Sequence, residues 1–408
     1  MRGYVEQLRQ FRPSARIFLI ATGFFGIAGG IRRVARNLYF LSLGFNEGFI
    51  GLVVGVGTFT GLLVALPGGH LGDRFGPRKT MIGATALGAT GIVLQGLPYR
   101  VPIVLGAALN RVAWSVFFIV GPALLTEESG TEERTHLFSV FSSSRRLALI
   151  PGALLGGYMP GLLGHFIGVG GEGPVSYRLT IFLQAFLLAA ALIPLFMIDS
   201  SSNREVSSTS RTYDLEFMKQ PLARKILLPS LLVGTGAGMI FPFLNVIFEH
   251  YGASTELIGW IFTAQSLLTG LFVLFAPNIS EKWGKAKGVA LTRIASIPFL
   301  LVVGYAGHVP VMAGALMVRS SLMRLSSPLR NNLLMNIARP GERSKINGIR
   351  QVASRVGRTA AGPLAGWILS SVSYSLPFLL TSVLYAVGSG LFYLGLHPLE
   401  LEQEEAEN

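Results

Sequence analysis

Twelve apolar runs follow one another along the chain, each close to the ~20 residues that a helix needs to cross a bilayer. Their approximate limits are 17–43, 48–70, 79–98, 101–125, 137–165, 177–198, 224–250, 256–277, 288–306, 309–337, 346–371 and 376–397. Inside hydrocarbon no water satisfies a backbone N–H or C=O, so only helices or a closed barrel can span. Runs of this length predict helices, because a barrel strand needs only about 9–11 residues. Composition agrees: 13% of the residues are charged, half the ~25% of soluble domains. The first sixteen residues are polar and basic and the first apolar run is too long for a signal-peptide core, so no cleaved leader is expected. The chain has no cysteine, which excludes disulfides and thiolate metal sites.

The net charge of +13 raises nucleic acid as a partner, but its distribution argues otherwise. Lysine and arginine gather in alternate connections: Arg2, Arg9, Arg12 and Arg16, then Arg74, Arg78 and Lys79, then Arg134. The same side continues with Arg204, Arg211 and Lys219, then Lys282, Lys285 and Lys287, then Arg339, Arg343 and Lys345; the opposite connections hold only Arg100 and Arg178. By the positive-inside rule both termini lie in the cytoplasm of a multi-pass cell-membrane protein. The lipid bilayer is then the surrounding partner, and no nucleic acid is expected. Residues 199–223, rich in serine and charge, read as a cytoplasmic linker between bundles 1–198 and 224–397. The acidic tail 398–408, with five glutamates in its last nine residues, reads as disordered.

The two halves repeat each other. At an offset of 208, Asn37–Gly44 lies over Asn245–Gly252, Ile50-Gly51 over Ile258-Gly259, and Arg111 over Arg319. Asp73-Arg74-Phe75-Gly76 lies over Glu281-Lys282-Trp283-Gly284; after a one-residue slip Arg146 meets Arg355. Parallel six-helix repeats with a substrate path between them are one of the known schemes for secondary transporters.

The connection after the second run, a short charged turn, holds Gly69, Gly72, Asp73, Arg74, Gly76, Arg78 and Lys79. Those residues fill the loop signature of the major facilitator superfamily, and the chain resembles that family over nearly its full length. Pro77 stands where an arginine is common. The resemblance implies an all-α membrane protein, twelve transmembrane helices arranged as two pseudo-symmetric six-helix bundles. It also implies a conformational gate in which Asp73 latches to the start of the eleventh helix, near Ile346. The physical basis is the partial positive charge of free N–H groups at a helix N-terminus. A latch that breaks in every cycle is worth only a few kcal/mol.

Arginines inside the runs are the individual feature of this chain: Arg32, Arg33, Arg36, Arg111, Arg145, Arg146, Arg293, Arg319, Arg324, Arg330, Arg350, Arg355 and Arg358. Each costs roughly 2.5–3.5 kcal/mol at mid-bilayer, so it needs a cavity or a partner. No aspartate or glutamate lies deep in a run. Arg111, Arg146, Arg319 and Arg355 are matched by the repeat and near the midplane. Two readings stand side by side for them: helix-to-helix bonding, or a positive cavity for a carboxylate or phosphate, which guanidinium grips bidentately. For Arg36, Arg330 and Arg350, nearer the ends, the structural reading is preferred. Asn37 and Asn245, repeat-matched amides, are candidates either for interhelical hydrogen bonds or for ligand contact. Glycine pairs 26/30, 51/55 and 57/61 have close-packing spacing.

The expected function is transport of a small solute by alternating access, with an organic anion or amphiphile as substrate. A multidrug or metabolite efflux pump working as a proton antiporter is the alternative. Arg111 matches the antiporters' fourth-helix arginine, but Ile150–Gly157 has the wrong glycine-proline spacing and no carboxylate is visible at depth. A sensor or scaffold that kept the fold is the rival from another class. No phosphate-binding Gly-x-x-x-x-Gly-Lys-Ser/Thr loop or metal-ligand cluster is present, so no enzymatic activity, cofactor or metal is expected. A coupling ion and a monomeric state complete the expectation.

Overall fold

A computed structural model describes residues 12–64, 67–127, 134–169, 171–198, 220–339 and 342–407. The expected linker falls largely outside them, as do Arg2, Arg9, Arg204, Arg211 and Lys219. The apolar runs form α1 Pro13–Ser42, α2 Glu47–Leu63, α3 Pro67–Phe75, α4 Pro77–Gln95, α5 Arg100–Glu127, α6 Arg134–Phe166, α7 Pro174–Ala190 and α8 Leu192–Met197. The second half gives α9 Pro221–Ile240, α10 Leu244–His250, α11 Thr255–Phe272, α12 Ala276–Trp283, α13 Lys285–Tyr305, α14 Val309–Ile337, α15 Arg343–Ser371 and α16 Leu376–Glu407. Short 3-10 turns at Phe241–Phe243 and Val273–Phe275 join α9 to α10 and α11 to α12. Grouping the helices that break within one run leaves twelve helical stretches among the described residues.

Among the described residues, seven helices are long and apolar enough to cross a membrane, or eight with the bent pair α2–α3 taken as one span. Helices α14 and α15 fall short of that test because they carry the embedded arginines, whose charge lowers their mean hydropathy. Proline starts α1, α4, α7 and α9, where its missing N–H is one the helix could not have used.

Two compact units emerge. Unit 1 comprises Met1–Phe45, Val56–Thr209 and Ser254–Thr263; unit 2 comprises Asn46–Gly55, Ser210–Ala253 and Ala264–Asn408. The exchanged segments, Asn46–Gly55 and Ser254–Thr263, are themselves 208 residues apart. Backbone detail follows the same offset. Gly44 and Gly252 both sit at positive φ (82° and 87°) and close the preceding helices with equivalent bonds. In these, Phe45 N donates to Phe40 O at 3.1 Å and Ala253 N to Phe248 O at 3.0 Å. The next helices are capped in parallel, Asn46 Oδ1 accepting from Phe49 N and Ser254 Oγ from Leu257 N.

Glycine faces bring helices into backbone contact in each unit. In unit 1 a Cβ on Gly26 would lie 2.5 Å from Ala148 Cβ of α6, and Gly30 meets Leu149 O as closely. In unit 2, Gly51 and Gly55 lie against Gly362, Pro363 and Gly366 of α15. Gly57 has only an ordinary contact with Ala107, and Gly61 serves another purpose described below.

Two expectations change. The charged stretch 69–79 is not an open turn: α3 runs to Phe75 and α4 starts at Pro77, leaving only Gly76 between them. Gly76 has φ 82°, ψ 149°, a region that only glycine enters without about 1–3 kcal/mol of strain. Gly284 repeats it at φ 73°, ψ 173°. The acidic tail is not disordered either, since α16 continues to Glu407. Glu400 is buried, 4% exposed, and its two oxygens accept from Lys285 N at 2.7 Å and Ala286 N at 2.8 Å. Gln403 adds a bond to Asn336 O. A carboxylate on the positive end of α13 gives the tail the partner that composition does not reveal.

Candidate functional site

Position 319 in α14 carries the largest fully buried side chain of the described residues, and it is an arginine. It lies ten residues from the start of its helix, about 15 Å deep. Arg319 Nη2 donates to Tyr385 Oη of α16 at 3.1 Å, and the guanidinium lies over the rings of Tyr385 (5.5 Å) and Phe241 (4.7 Å). Its Nε and Nη1 have no partner among the described residues. Ring faces attract a cation by about 0.5–2 kcal/mol, yet they leave the N–H groups unsatisfied. Phe241 opens the 3-10 turn that separates α9 from α10. Pro242, lacking an N–H, cannot continue the helical ladder there. Broken spans near mid-membrane are where transporters of several folds hold their solutes. Asn245, 2% exposed, follows in the first turn of α10. Arg355 is half-buried on α15.

In unit 1, Arg111 is half-buried on α5, and its side chain runs past Gly61 of α2. A Cβ there would come within 3.0 Å of Arg111 Cγ and Nε, so the glycine clears room for the guanidinium. Ser115 Oγ donates to Gly61 O at 3.3 Å from the next turn. Arg36 of α1 feels the charge of Arg111 and donates through Nε and Nη2 to Asn37 Oδ1, at 3.1 and 3.0 Å. Arg32 lies over Trp114 and Arg145 over Phe118. Arg146 is exposed on α6. Thus unit 1 gathers Arg111, Arg36 and Asn37 into one group and leaves Arg146 at a helix surface.

Glu400 is the one acidic residue among the buried polar side chains described. Aromatic faces accompany several of these arginines: half-buried Arg32 with Trp114, buried Arg293 with Phe392, and buried Arg319 with Phe241 and Tyr385.

At the expected gate, Gly72 is buried against Val120, while Asp73, Arg74 and Lys79 are exposed. Gly69 makes only a distant contact with Ile119. Asp73 has no hydrogen-bond partner among the described residues of its unit. Arg74 lies over Phe75. Arg78 reaches back to the end of α8, donating to Leu195 O at 3.3 Å and Phe196 O at 2.5 Å, where helix carbonyls are free.

Residue reasoning missed Tyr385 and Phe241. Tyr385 stands 208 residues beyond Tyr177, so the repeat that paired the arginines also pairs these phenols. Tyr177 takes a different role, bonding Glu172 Oε2 and Thr255 Oγ1 at 3.0 and 2.5 Å. Sequence also missed an equivalent cluster in unit 2, where Tyr374 donates to Glu47 Oε1 and stacks on His250 at 3.6 Å.

Comparison with known proteins adds an independent line. A family model described as Major Facilitator Superfamily matches residues 17–229 and again 226–408. The chain is similar to a protein named multidrug resistance protein MdtH from Aeromonas hydrophila, 22% identical over 360 residues, covering 86% of this chain and 83% of that one. A protein of the same name from Photorhabdus laumondii is 21% identical over 364 residues, covering 86% and 84%. Among solved structures, the nucleoside transporter NupG superposes with a TM-score of 0.74 at 11% identity, covering 95% of this chain and 98% of that chain. A D-xylose-proton symporter gives 0.68 at 14%, covering 92% and 97%. At such identities the structural likeness speaks for the fold.

Proposed function

The chain belongs to the major facilitator superfamily, and from that premise we propose that its cargo is a small organic anion or amphiphile. It is a multi-pass membrane protein and a secondary transporter, moving a small solute by alternating access. The observation that carries the anion reading is Arg319: fully buried, beside a broken span, with two guanidinium nitrogens unsatisfied. Leaving a buried cation uncompensated costs several kcal/mol, which a carboxylate or phosphate seated there would offset. Arg111, Arg146 and Arg355, with Asn37 and Asn245, are the further contacts in this reading. The bundles are 1–198 and 224–397, both termini face the cytoplasm of the inner membrane, the unit of function is a monomer, and an ion or solute gradient drives transport. Asp73 is the cytoplasmic latch.

Flux of an anion panel into proteoliposomes tests it. Arg146→Gln and Arg355→Gln should each lower flux of at least one anion at least tenfold; unchanged flux of every anion sinks the site. The name of the MdtH relatives favours a second reading, efflux of drugs. Transport of lipophilic cations, with the same two variants inert, would select it.

A further inference from the structure

Three further arginines of unit 2 lie nearer their helix ends than Arg319, although Arg293 also feels Tyr385, the phenol that Arg319 bonds. Arg293 lies eight residues after the start of α13, Arg350 seven after the start of α15, and Arg330 seven before the end of α14. Because these helices alternate in direction, all three sit at one level, about 11–12 Å from the ends on the side where α16 finishes. They are near neighbours: Arg330 feels the charges of Arg293, Arg350 and Arg358, and Arg293 that of Arg350.

Such a cluster is usually read as helix-to-helix bonding, but the bonds present are too few and too long for that. Arg293 Nε reaches Ser326 Oγ at 3.5 Å; Arg330 Nη2 reaches Ser327 Oγ and Asn331 Oδ1, both at 3.4 Å; Arg350 Nη2 reaches Asn347 Oδ1 at 3.5 Å. Ordinary N–H···O bonds are about 2.7–3.2 Å, and each guanidinium offers five N–H donors. The Nε atoms of Arg330 and Arg350 are buried with no partner among the described residues. Glu400, the acidic residue among the buried polar side chains described, is already engaged, since both its oxygens accept from the start of α13. Arg293 is 3% exposed and lies beneath, whereas Arg330 and Arg350 are half-buried and reachable.

We propose that Arg293, Arg330 and Arg350 form a second anion site, separate from the cargo site, that takes a phosphate-bearing ligand. Three guanidinium groups close enough to feel one another's charge suit the several oxygens of a phosphate, which a guanidinium binds bidentately. The ligand is either a phospholipid headgroup entering from the bilayer or a soluble phosphate compound; basic pockets between spans at this depth suit both.

Thermal unfolding of the full chain in neutral detergent separates these sources. One arm adds inorganic phosphate or pyrophosphate at matched ionic strength against chloride; the other uses mixed micelles with phosphatidylglycerol against phosphatidylcholine. At about 100 times Kd the ligand should raise Tm by about 5–10 °C in one arm, and that arm identifies the source. Arg330→Gln and Arg350→Gln should each remove most of the shift, while Arg330→Lys, keeping charge without the fork, removes part. In chloride alone the two Gln variants should melt at or above the native protein, because like-charge repulsion is relieved; structural bonding requires them to melt lower. No shift in either arm, or a shift that survives in both Gln variants, overturns the proposal. Should a variant fail to fold, that result itself supports structural bonding and counts against the site. Arg146→Gln and Arg355→Gln should keep the full shift, so this site and the cargo site fail or stand separately.

Discussion

Replacing Glu400 by alanine removes two short charge-assisted bonds from one buried carboxylate, to Lys285 N at 2.7 Å and Ala286 N at 2.8 Å. Hydrogen bonds to a charged group contribute about 1.5–3 kcal/mol each, and a carboxylate at a helix N-terminus adds up to about 2 kcal/mol. Against this stands the desolvation of a carboxylate that is 4% exposed, several kcal/mol that alanine recovers. The Ala286 N–H would remain buried without an acceptor, at about 1–3 kcal/mol. The balance is a net loss of about 3–4 kcal/mol. For a cooperative unit of about 200 residues, 1 kcal/mol moves Tm by about 2–4 °C, so Glu400→Ala should melt roughly 6–15 °C lower. Glu400→Gln keeps one oxygen acceptor and the shape, and should lose about half as much. Unfolding in detergent followed by tryptophan fluorescence gives both values, and hydrogen exchange at the Lys285 and Ala286 amides gives the local effect. An alanine variant melting within about 2 °C of the native protein, or a glutamine variant worse than alanine, would refute the capping argument.

Two further perturbations address the ends of the helices. Asp73→Asn should leave Tm unchanged, because the exposed carboxylate has no bond partner among the described residues of its unit; if Asp73 is the latch proposed above, the variant should slow flux severalfold, and native flux would reduce Asp73 to a solvated turn residue. At the other end, burial first and the hydrogen bond to Glu47 second push the Tyr374 phenol above its ordinary value of 10.0. Its folded-state value being the higher one, the stability it contributes is fully present below about pH 10 and declines above it, as the unfolded chain ionises first. Tyr374→Phe should therefore melt about 2–4 °C lower at neutral pH, for a loss of about 1 kcal/mol, and show less of that alkaline decline. Equal alkaline slopes in the two proteins would contradict the assignment.

Local and periodic properties were legible from the sequence alone. Apolar run length fixes helices, since no other open structure satisfies its backbone in hydrocarbon. The offset of 208 foretells the paired turns at Gly44 and Gly252 and the single-glycine joints at Gly76 and Gly284. The signature residues of Gly69–Lys79 mark the family in the sequence itself. Partnership was not legible. Whether an arginine meets a carboxylate, a ring or nothing depends on side chains hundreds of residues apart in sequence or on a different helix face. Arg111 and Arg319 share a repeat position, yet one runs past Gly61 and the other lies between Phe241 and Tyr385. The tail shows the same limit: five glutamates in a row of nine read as solvated chain, because composition carries no record of the free N–H groups at the start of α13. Chain chemistry decides what each segment can form, and tertiary packing decides which charges are left without a partner, because burial and contact are properties of the folded whole.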